Sequence, residues 1–280
     1  MELIFRPEKN NQLILKAISQ FANSPEHHHG LYDSLASQWE KVYCHFLDNS
    51  GILALRKGTH WRVLGAPLTR PEERIAVLFA FLEHLFSRKE AERITLQSNE
   101  LEKLLDLEKH TSIFRVGPVT RILHYPVFSF DTWNGDQPSV HKINHQLRQS
   151  ELKAKEAKDF TSAQLKKFVL GLRAGKGEYS HLFNLIDSGF EGMKTRVLEK
   201  NDNPVSLMAW WNVAEESFLG VEVAKELDLE IAILDAILQI KETRARKAVL
   251  YSPTSHDLDI KNKLHPSDVR QLKEFSLLNL

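Results

Sequence analysis

Cysteine is almost absent from this chain of 280 residues, since Cys44 is the only one. A single cysteine excludes an intramolecular disulfide and makes the cytoplasm the expected compartment. Long apolar runs are absent too, because no stretch approaches the roughly 20 residues of a membrane-spanning helix. The opening MELIFRPEKN also lacks the basic-then-apolar layout of a signal peptide. The sequence therefore predicts a soluble protein with no membrane span.

An excess of charge of either sign is also lacking. Lysine plus arginine and aspartate plus glutamate each number 37, so the formal net charge is zero. This balance argues against a constitutive nucleic-acid coat but leaves room for a local basic face. The 42% hydrophobic and 26% charged residues are typical of a globular protein, and the length suffices for two modest domains.

The segment Gly51–Phe86 predicts a strand, a tight turn, a second strand, a short loop and a long helix. Lys57-Gly58-Thr59 marks the turn between two apolar runs. Thr69, with Glu72 three positions on, predicts a capping box at the start of the helix. The repeating apolar positions of the helix are Ile75, Leu78, Leu82 and Leu85. Because this helix is apolar almost all round, we expect it to pack against a sheet.

The rest of the first half continues as alternating strands and helices. The predicted strands are Lys41–Leu47, Arg93–Gln97, Ile113–Val116 and Val119–Tyr125, the last two broken at Gly117-Pro118. The predicted helices are Leu13–Phe21, Tyr32–Trp39 and Asn99–Leu107. Strands that alternate with helices behind an early hairpin indicate a mixed α/β sheet with helices on its faces.

The second half repeats this order of elements. Its predicted strands are Thr195–Glu199, Val205–Val213, Phe218–Val223 and Ala248–Tyr251. Its predicted helices are Ser162–Leu172, Ser180–Asp187 and a long apolar one at Leu227–Ile240, and a charged helix at Ser139–Lys158 lies between the halves. We therefore predict two copies of one fold, with an N-terminal domain at 1–135, a bridging helix at 136–160 and a C-terminal domain at 161–280.

Three motifs of the chain resemble one known family. They are GILALRKGTHWRVLGAPLTRPEERIAVLFAFLEHL at 51–85, KINHQLRQSE at 142–151 and LYSPTS at 250–255. In this order they are similar to the hydrophobic hairpin with its long helix, the basic bridge helix and the late strand end of the C-terminal domain of phosphatidylglycerol lysyltransferases. The resemblance implies an α+β (mixed α/β) fold of two tandem GNAT-like domains, the acyl-CoA N-acyltransferase fold. Each domain is expected to have a mixed, mostly antiparallel sheet flanked by helices.

The motifs depart from that family at several positions. Ala66 stands where the family has the aspartate of Gly-Asp-Pro, and Asn144 and Arg148 stand at its bridge-helix arginine and asparagine. Tyr251 replaces the glycine of the late strand, and VEVAKELD at 221–228 does not match the family's Asp-Leu-Met-Arg segment. These differences leave the fold expectation intact and weaken any expectation of the same substrate.

The resemblance implies a soluble acyl- or aminoacyltransferase that moves its group from an activated donor to an amine or hydroxyl acceptor. Aminoacyl-tRNA or acyl-CoA is the expected donor, tRNA an expected partner, a small-molecule or peptide amine the expected acceptor, and no metal is expected. The glycine-rich loop that binds the CoA pyrophosphate is missing, because the long helices open with TRPEER and AKELDL. Two alternatives stay open: a CoA-dependent N-acyltransferase with an unusual phosphate loop, and a catalytically inactive GNAT-fold binding or scaffold protein.

Two groups of residues are candidates for binding the donor or another anion. The first group surrounds the start of the first long helix and consists of Gly65, Thr69, Arg70 and Arg74. Helix N-termini favour anions, and capping beside a solvated arginine pair is the alternative. The second group, Lys142 and Arg148, belongs to a basic region that also contains Lys153, Lys155, Lys158, Lys166 and Lys167. That region suits a tRNA phosphate backbone, and a surface helix with i,i+4 ion pairs is the alternative.

Histidines supply the candidates for a catalytic base. His141, His145 and His124 are each able to deprotonate an acceptor amine, and a histidine without a catalytic role is the alternative for each. Three adjacent histidines, His27–His29, predict no metal site, because neighbouring side chains diverge and metals prefer spaced ligands. No spaced Cys/His zinc pattern and no Gly-x-Ser-x-Gly motif is present. The sequence therefore leaves the catalytic residues open.

Overall fold

The computed structural model describes residues 4–6, 20–21, 39–45, 50–98, 101–172, 180–190, 192–213, 215–225, 228–252 and 255–280. The helices predicted at Leu13–Phe21 and Tyr32–Trp39 lie almost wholly outside the described residues, and His27–His29 lie wholly outside them. The chain divides into two units, one of residues 1–123 and 271–280 and the other of residues 124–270.

The first unit contains a mixed sheet. Its strands are β1 (Ile4–Arg6), β2 (Glu40–His45), β3 (Gly51–Lys57), β4 (His60–Val63), β5 (Arg93–Ser98), the first part of β6 (Phe114–Ser129) and most of the last strand, β12 (Asp268–Asn279). Strands β1-β2-β3-β4-β5-β12 are hydrogen-bonded in that order. β4 and β5 run parallel, and the other described pairs in this series run antiparallel.

Helix α1 (Arg74–Ser87) forms the core of this unit and is followed, after β5, by α2 (Leu101–Glu108). The buried residues of α1 are Val77, Leu78, Phe81, Leu82, Leu85 and Phe86. They form one cluster with Trp61 of β4 and Ile94 of β5, and the Trp61 and Phe81 rings meet edge to face at 6.1 Å. Since burial of each large apolar side chain contributes about 1.5–3 kcal/mol, this helix holds β4, β5 and the loop that leads from β4 into the helix in place.

The second unit contains the other strands and five helices among its described residues. Its strands are the end of β6, β7 (Lys153–Lys155), β8 (Lys194–Lys200), β9 (Asn203–Val213), β10 (Glu216–Ala224) and β11 (Lys247–Leu250). Its helices are α3 (Pro138–Gln149), α4 (Ser162–Leu170), α5 (Ser180–Asp187), α6 (Leu229–Lys241) and α7 (Ser255–Asn262). The strand order is β6-β11-β10-β9-β8-β7, in which β10 and β11 run parallel and the other pairs antiparallel.

Helix α6 has the same role in the second unit that α1 has in the first. Its buried apolar residues are Ile231, Ala232, Ile233, Leu234, Ala236, Ile237 and Ile240. One polar residue, Asp235, is buried among them and accepts two hydrogen bonds from Arg196 of β8, at 2.7 and 2.9 Å. Both units therefore contain a parallel strand pair joined through a long apolar helix, which confirms the predicted mixed, mostly antiparallel sheets flanked by helices.

The break predicted at Gly117-Pro118 is wrong, because β6 runs unbroken from Phe114 to Ser129. A Cβ atom at Gly117 would lie 3.1 Å from the carbonyl oxygen of Ser276 in β12. The glycine therefore permits a close approach of two backbones instead of ending the strand.

The charged helix predicted at Ser139–Lys158 is wrong in its second part. Helix α3 ends at Gln149, and Lys153–Lys155 form the strand β7, which pairs with β8. The change of direction comes at Glu151, whose φ of 50° lies in the left-handed region and cannot continue a helix. The domain limits at 135, 136 and 160 stay a prediction, whereas the two units of the structure divide at Leu123/His124 and Arg270/Gln271.

The capping box predicted from Thr69 and Glu72 is also wrong. A 3-10 turn at Pro71–Glu73 precedes α1, and its cap residue is Arg70, which makes no side-chain capping bond. The Thr69 hydroxyl instead donates a hydrogen bond to Glu73 Oε2 at 2.8 Å. Pro71 is the first residue of that turn, where its missing N–H leaves no bond unmade.

Candidate functional site

The parallel strands of the second unit separate part of the way along. β10 pairs with β11 from Glu216 to Leu219, whose partner is Leu250 at the end of β11. β10 continues to pair with β9 as far as Ala224, with a register shift between Leu219 and Val221. Gly220 is thus the extra residue of a β-bulge, and the ladder between β10 and β11 ends where the bulge begins.

The glycine at the bulge is required by the packing of a tryptophan. A Cβ atom at Gly220 would lie 2.6 Å from Cη2 of Trp211, which is closer than carbon atoms approach. The Trp211 ring stacks at a tilt on Phe218, with centroids 5.0 Å apart. The rings of Trp211 on β9 and Phe218 on β10 therefore pack at the bulge, where the pairing of β10 with β11 ends.

A buried ion pair lies beyond the bulge. Lys261 of α7 places its Nζ 2.7 Å from Glu222 Oε2, and the same ammonium group donates a hydrogen bond to the carbonyl oxygen of Tyr251. Only 3% of the Lys261 side chain and 11% of the Glu222 side chain are exposed. Glu222 belongs to β10 and Tyr251 directly follows β11, so one ammonium group bridges the two strands after their pairing has ended.

Glu222 has an unusual proton affinity. Burial raises its pKa from 4.5 to about 7, because desolvation disfavours the carboxylate. The charge and hydrogen bond of Lys261 act in the opposite direction, and the charge of Asp257 adds to the rise. The second carboxyl oxygen, Oε1, is buried and has no hydrogen-bond partner among the described residues. Glu222 can therefore take up and release a proton near neutral pH.

A cavity of about 1100 Å³ lies at the carboxyl end of β10. Lys225, which directly follows β10, lines the cavity together with Lys167 of α4 and Lys200 of β8, and Asp202 also lines it. Its apolar lining includes Phe168, Leu170 and Val205. Ammonium groups beside an apolar wall fit a ligand that carries both phosphate and hydrocarbon.

The structure brings the predicted anion-binding residues of the first unit together in the loop between β4 and α1. Gly65 is buried with a φ of 75°, a conformation that favours glycine. Thr69 is buried, Arg70 is exposed, and Arg74 is the half-buried first residue of α1. Two glutamates in the same turn balance the two arginines. Anion binding at this loop stays a prediction.

Helix α3 carries the other four predicted residues. His141, Lys142, His145 and Arg148 are all exposed on it, while Val140 and Ile143 are buried. The helix contains no aspartate or glutamate. The structure therefore places these four on one polar surface, without a described contact to Glu222 or Lys261, and their roles as bases or anion ligands stay predictions. The remaining base candidate, His124, lies in β6, where its backbone pairs with Ser252.

Part of the predicted basic region is occupied by ion pairs. The pairs are Lys155 with Glu199 at 2.8 Å, Lys158 with Glu156 at 2.7 Å, and Lys166 with Asp187 at 2.5 Å. These lysines are therefore neutralised by carboxylates, but none of the three pairs is the i,i+4 pair of the predicted surface helix, since Lys155 lies in β7 and its partner Glu199 in β8. In the part of the chain that the structure describes, no group of three or more His, Cys, Asp or Glu side chains is placed to hold a metal ion. Over the same residues, no helix is both long enough and apolar enough to cross a membrane.

Sequence reasoning missed the buried pair, Glu222 and Lys261, and two lysines of the cavity lining, Lys200 and Lys225. One signal was present for Glu222, which interrupts the otherwise apolar run Phe218–Val223. A single carboxylate inside an apolar strand is either paired or functional, because its burial is costly. No comparable signal marks Lys261, since lysines in short polar helices are ordinarily solvated.

Comparison with known proteins identifies the fold. No protein-family model matches the chain, and no curated protein matches its sequence. Among solved structures, L-PGS from Bacillus licheniformis is similar with 12% identity and a TM-score of 0.66, over 98% of this chain and 92% of that one. The C-terminal domain of a protein assigned as a lysylphosphatidylglycerol synthetase from Agrobacterium fabrum is similar with 12% identity and a TM-score of 0.61, over 94% and 92%.

A third similar structure is a tandem GNAT protein from the clavulanic acid biosynthesis pathway. It has 10% identity and a TM-score of 0.53, over 99% of this chain and 98% of that one. At such low identity these likenesses establish the fold and leave the substrate open. They confirm the predicted resemblance: the chain has a tandem GNAT-like fold, shared with the C-terminal domain of a lysylphosphatidylglycerol synthetase.

Proposed function

We propose that the second unit holds an acyl- or aminoacyltransferase site, which moves its group from an activated donor to an amine or hydroxyl. One observation carries this proposal: the ladder between β10 and β11 ends at Leu219, and Lys225, which directly follows β10, lines the lysine-rich cavity. Ligands of open α/β sheets bind beyond the carboxyl ends of parallel strands. The tandem GNAT-like fold supports the same location.

The cavity is suited to the anionic part of the donor. Lys167, Lys200 and Lys225 supply the charge, and the apolar wall accepts the uncharged part of the ligand. We favour aminoacyl-tRNA over acyl-CoA, because neither long helix opens with a glycine-rich phosphate loop. The exposed surface of α3, with Lys142 and Arg148 and no carboxylate, supports contact with a phosphate backbone. A cytoplasmic location is part of this proposal.

Glu222 is the proton acceptor in the proposed reaction. Its carboxylate takes one proton from the ammonium group of the acceptor, and the freed lone pair attacks the donor carbonyl carbon. The bond from that carbon to the ester oxygen of the tRNA breaks, and the electron pair leaves with the oxygen. The oxygen takes the second proton of the attacking nitrogen, which leaves an amide and a free hydroxyl. A pKa of about 7 lets Glu222 then return its proton to water.

Binding measurements test the donor assignment. We expect the Lys167→Ala/Lys200→Ala variant to bind tRNA about tenfold more weakly than the unmodified chain and with a shallower salt dependence, because two phosphate contacts are lost. Lys194→Ala is the matched control, since Lys194 is an exposed residue of β8 outside the cavity lining. Equal tRNA affinity in the double variant and the control would show that the cavity does not bind the donor.

Two other functions are separated by the same experiment. The CoA-dependent N-acyltransferase would be favoured by two results together. Acetyl-CoA would stabilise the unmodified chain but not the double variant, and the unmodified chain would not bind tRNA. The bridge that Lys261 forms between β10 and Tyr251 favours an inactive binding or scaffold protein, because a side chain fills the opening. Ligand binding in the cavity without transfer to a panel of amines, detected by mass spectrometry, would support that alternative.

A further inference from the structure

The ammonium group of Lys261 is held by oxygen acceptors of its own chain in the way that a separate ligand would be held. It is the residue that α7 buries, whereas a short surface helix ordinarily buries an apolar side chain. Its ammonium group meets the Glu222 carboxylate and the Tyr251 carbonyl, two oxygen acceptors from different strands. Fully buried lysines are rare and need such partners.

We propose that Glu222 and the Tyr251 carbonyl form a recognition site for a primary ammonium group, which Lys261 fills in this state and which an acceptor amine takes when α7 moves away. Calling the ligand an acceptor rests on the proposed function, whereas the existence of the site does not. Lys261 is then an autoinhibitory occupant, and the opening between β10 and β11 becomes accessible when it leaves.

Two features favour a ligand site over a purely structural ion pair. Glu222 Oε1 is buried without a partner among the described residues, so the carboxylate has capacity for a further donor. Ser252, the residue after Tyr251, has a buried hydroxyl with no partner among the same residues. A structural pair gains little over apolar residues of similar volume, and unsatisfied acceptors beside it lower that gain further.

Chemical complementation tests the site without a donor or turnover. Lys261→Ala retains Cβ, so propylammonium replaces the missing three carbons and nitrogen. We expect propylammonium, at ten times its dissociation constant, to raise the melting temperature of Lys261→Ala by about 3 °C, and 1-propanol to give no rise. If Lys261→Ala does not fold alone, refolding yield is compared in the two additives. Recovery in the amine alone supports the site, and recovery in neither or equally in both overturns it.

Three controls make the result specific. Lys263→Ala removes a neighbouring lysine whose Nζ pairs with Glu230 at 2.8 Å but is largely exposed, and Lys261→Met keeps the volume filled. Neither variant should respond to propylammonium, and Glu222→Gln in the Lys261→Ala background should abolish the response. An equal rise in melting temperature in all variants would mean that the amine stabilises the protein without binding at this site, and would overturn the proposal. If the unmodified chain binds neither tRNA nor CoA, the proposed function is refuted, and the ammonium site is still supported by the response of Lys261→Ala to propylammonium.

Discussion

The raised pKa of Glu222 makes the stability of the protein depend on pH in a defined direction. The folded chain holds the Glu222 proton up to about pH 7, whereas the ordinary pKa is 4.5, so unfolding releases a proton between those values. The free energy of unfolding therefore falls as pH rises through this interval. Each pH unit corresponds to about 1.4 kcal/mol, so the contribution present below pH 4.5 and lost above pH 7 is about 3 kcal/mol.

The perturbation that isolates this contribution is Glu222→Gln, which cannot titrate. Urea unfolding followed by tryptophan fluorescence gives the free energy of unfolding of both proteins from about pH 4.5 to about pH 8.5. We expect the difference between the unmodified chain and Glu222→Gln to change by about 3 kcal/mol across that range, with the unmodified chain losing stability toward high pH.

Glu230→Gln is the matched control for this measurement. Burial acts to raise the pKa of Glu230, but the Lys263 hydrogen bond, a backbone hydrogen bond and the Lys263 charge together lower it. Its contribution to stability is therefore lost only as pH falls below the ordinary value of 4.5, so no slope is expected above that pH. Parallel curves for the unmodified chain and Glu222→Gln would refute the account of Glu222 as a buried group with a raised pKa.

Three further substitutions test the packing on which the site depends, each measured by urea unfolding. Gly220→Ala places a Cβ 2.6 Å from Trp211 and should cost about 2 kcal/mol; an unchanged midpoint would contradict the close packing at the bulge. Asp235→Asn weakens the paired hydrogen bonds from Arg196 and should cost about 2 kcal/mol, an effect that must be small in an Arg196→Met background. Phe81→Ala empties a fully buried position of α1 and should cost about 3–5 kcal/mol, and a loss below 1 kcal/mol would mean that α1 is not the core of its unit.

The elements that sequence alone predicted best are those whose apolar residues show their burial directly. The helices around Leu78 and Leu234 are apolar almost all round, and the turn at Gly58 lies between two apolar runs, so local pattern determines them. Gly117-Pro118 was misjudged, because its glycine serves a contact with Ser276, more than 150 positions away. A local pattern does not contain that information.

The candidate site was less predictable than the fold for the same reason. Glu222 and Lys261 are 39 positions apart, and neither residue type indicates that the other will neutralise it. Their meeting depends on the bulge at Gly220 and on the placement of α7, which are settled by the tertiary structure. The predicted candidates on α3, by contrast, are easily noticed in the sequence because they are histidines and basic residues. The structure shows them exposed, with no described contact to the buried pair.

The division of the chain into units has a consequence for how the protein is made. Strand β12 supplies the neighbour of β5, with Phe275 opposite Leu96 and Leu277 opposite Ile94, yet it follows the whole second unit in the sequence. During synthesis on the ribosome, the edge of β5 that pairs with β12 stays unpaired while about 170 further residues emerge. Unpaired strand edges are templates for aggregation, so the nascent chain carries an edge open to wrong pairing throughout this interval of translation.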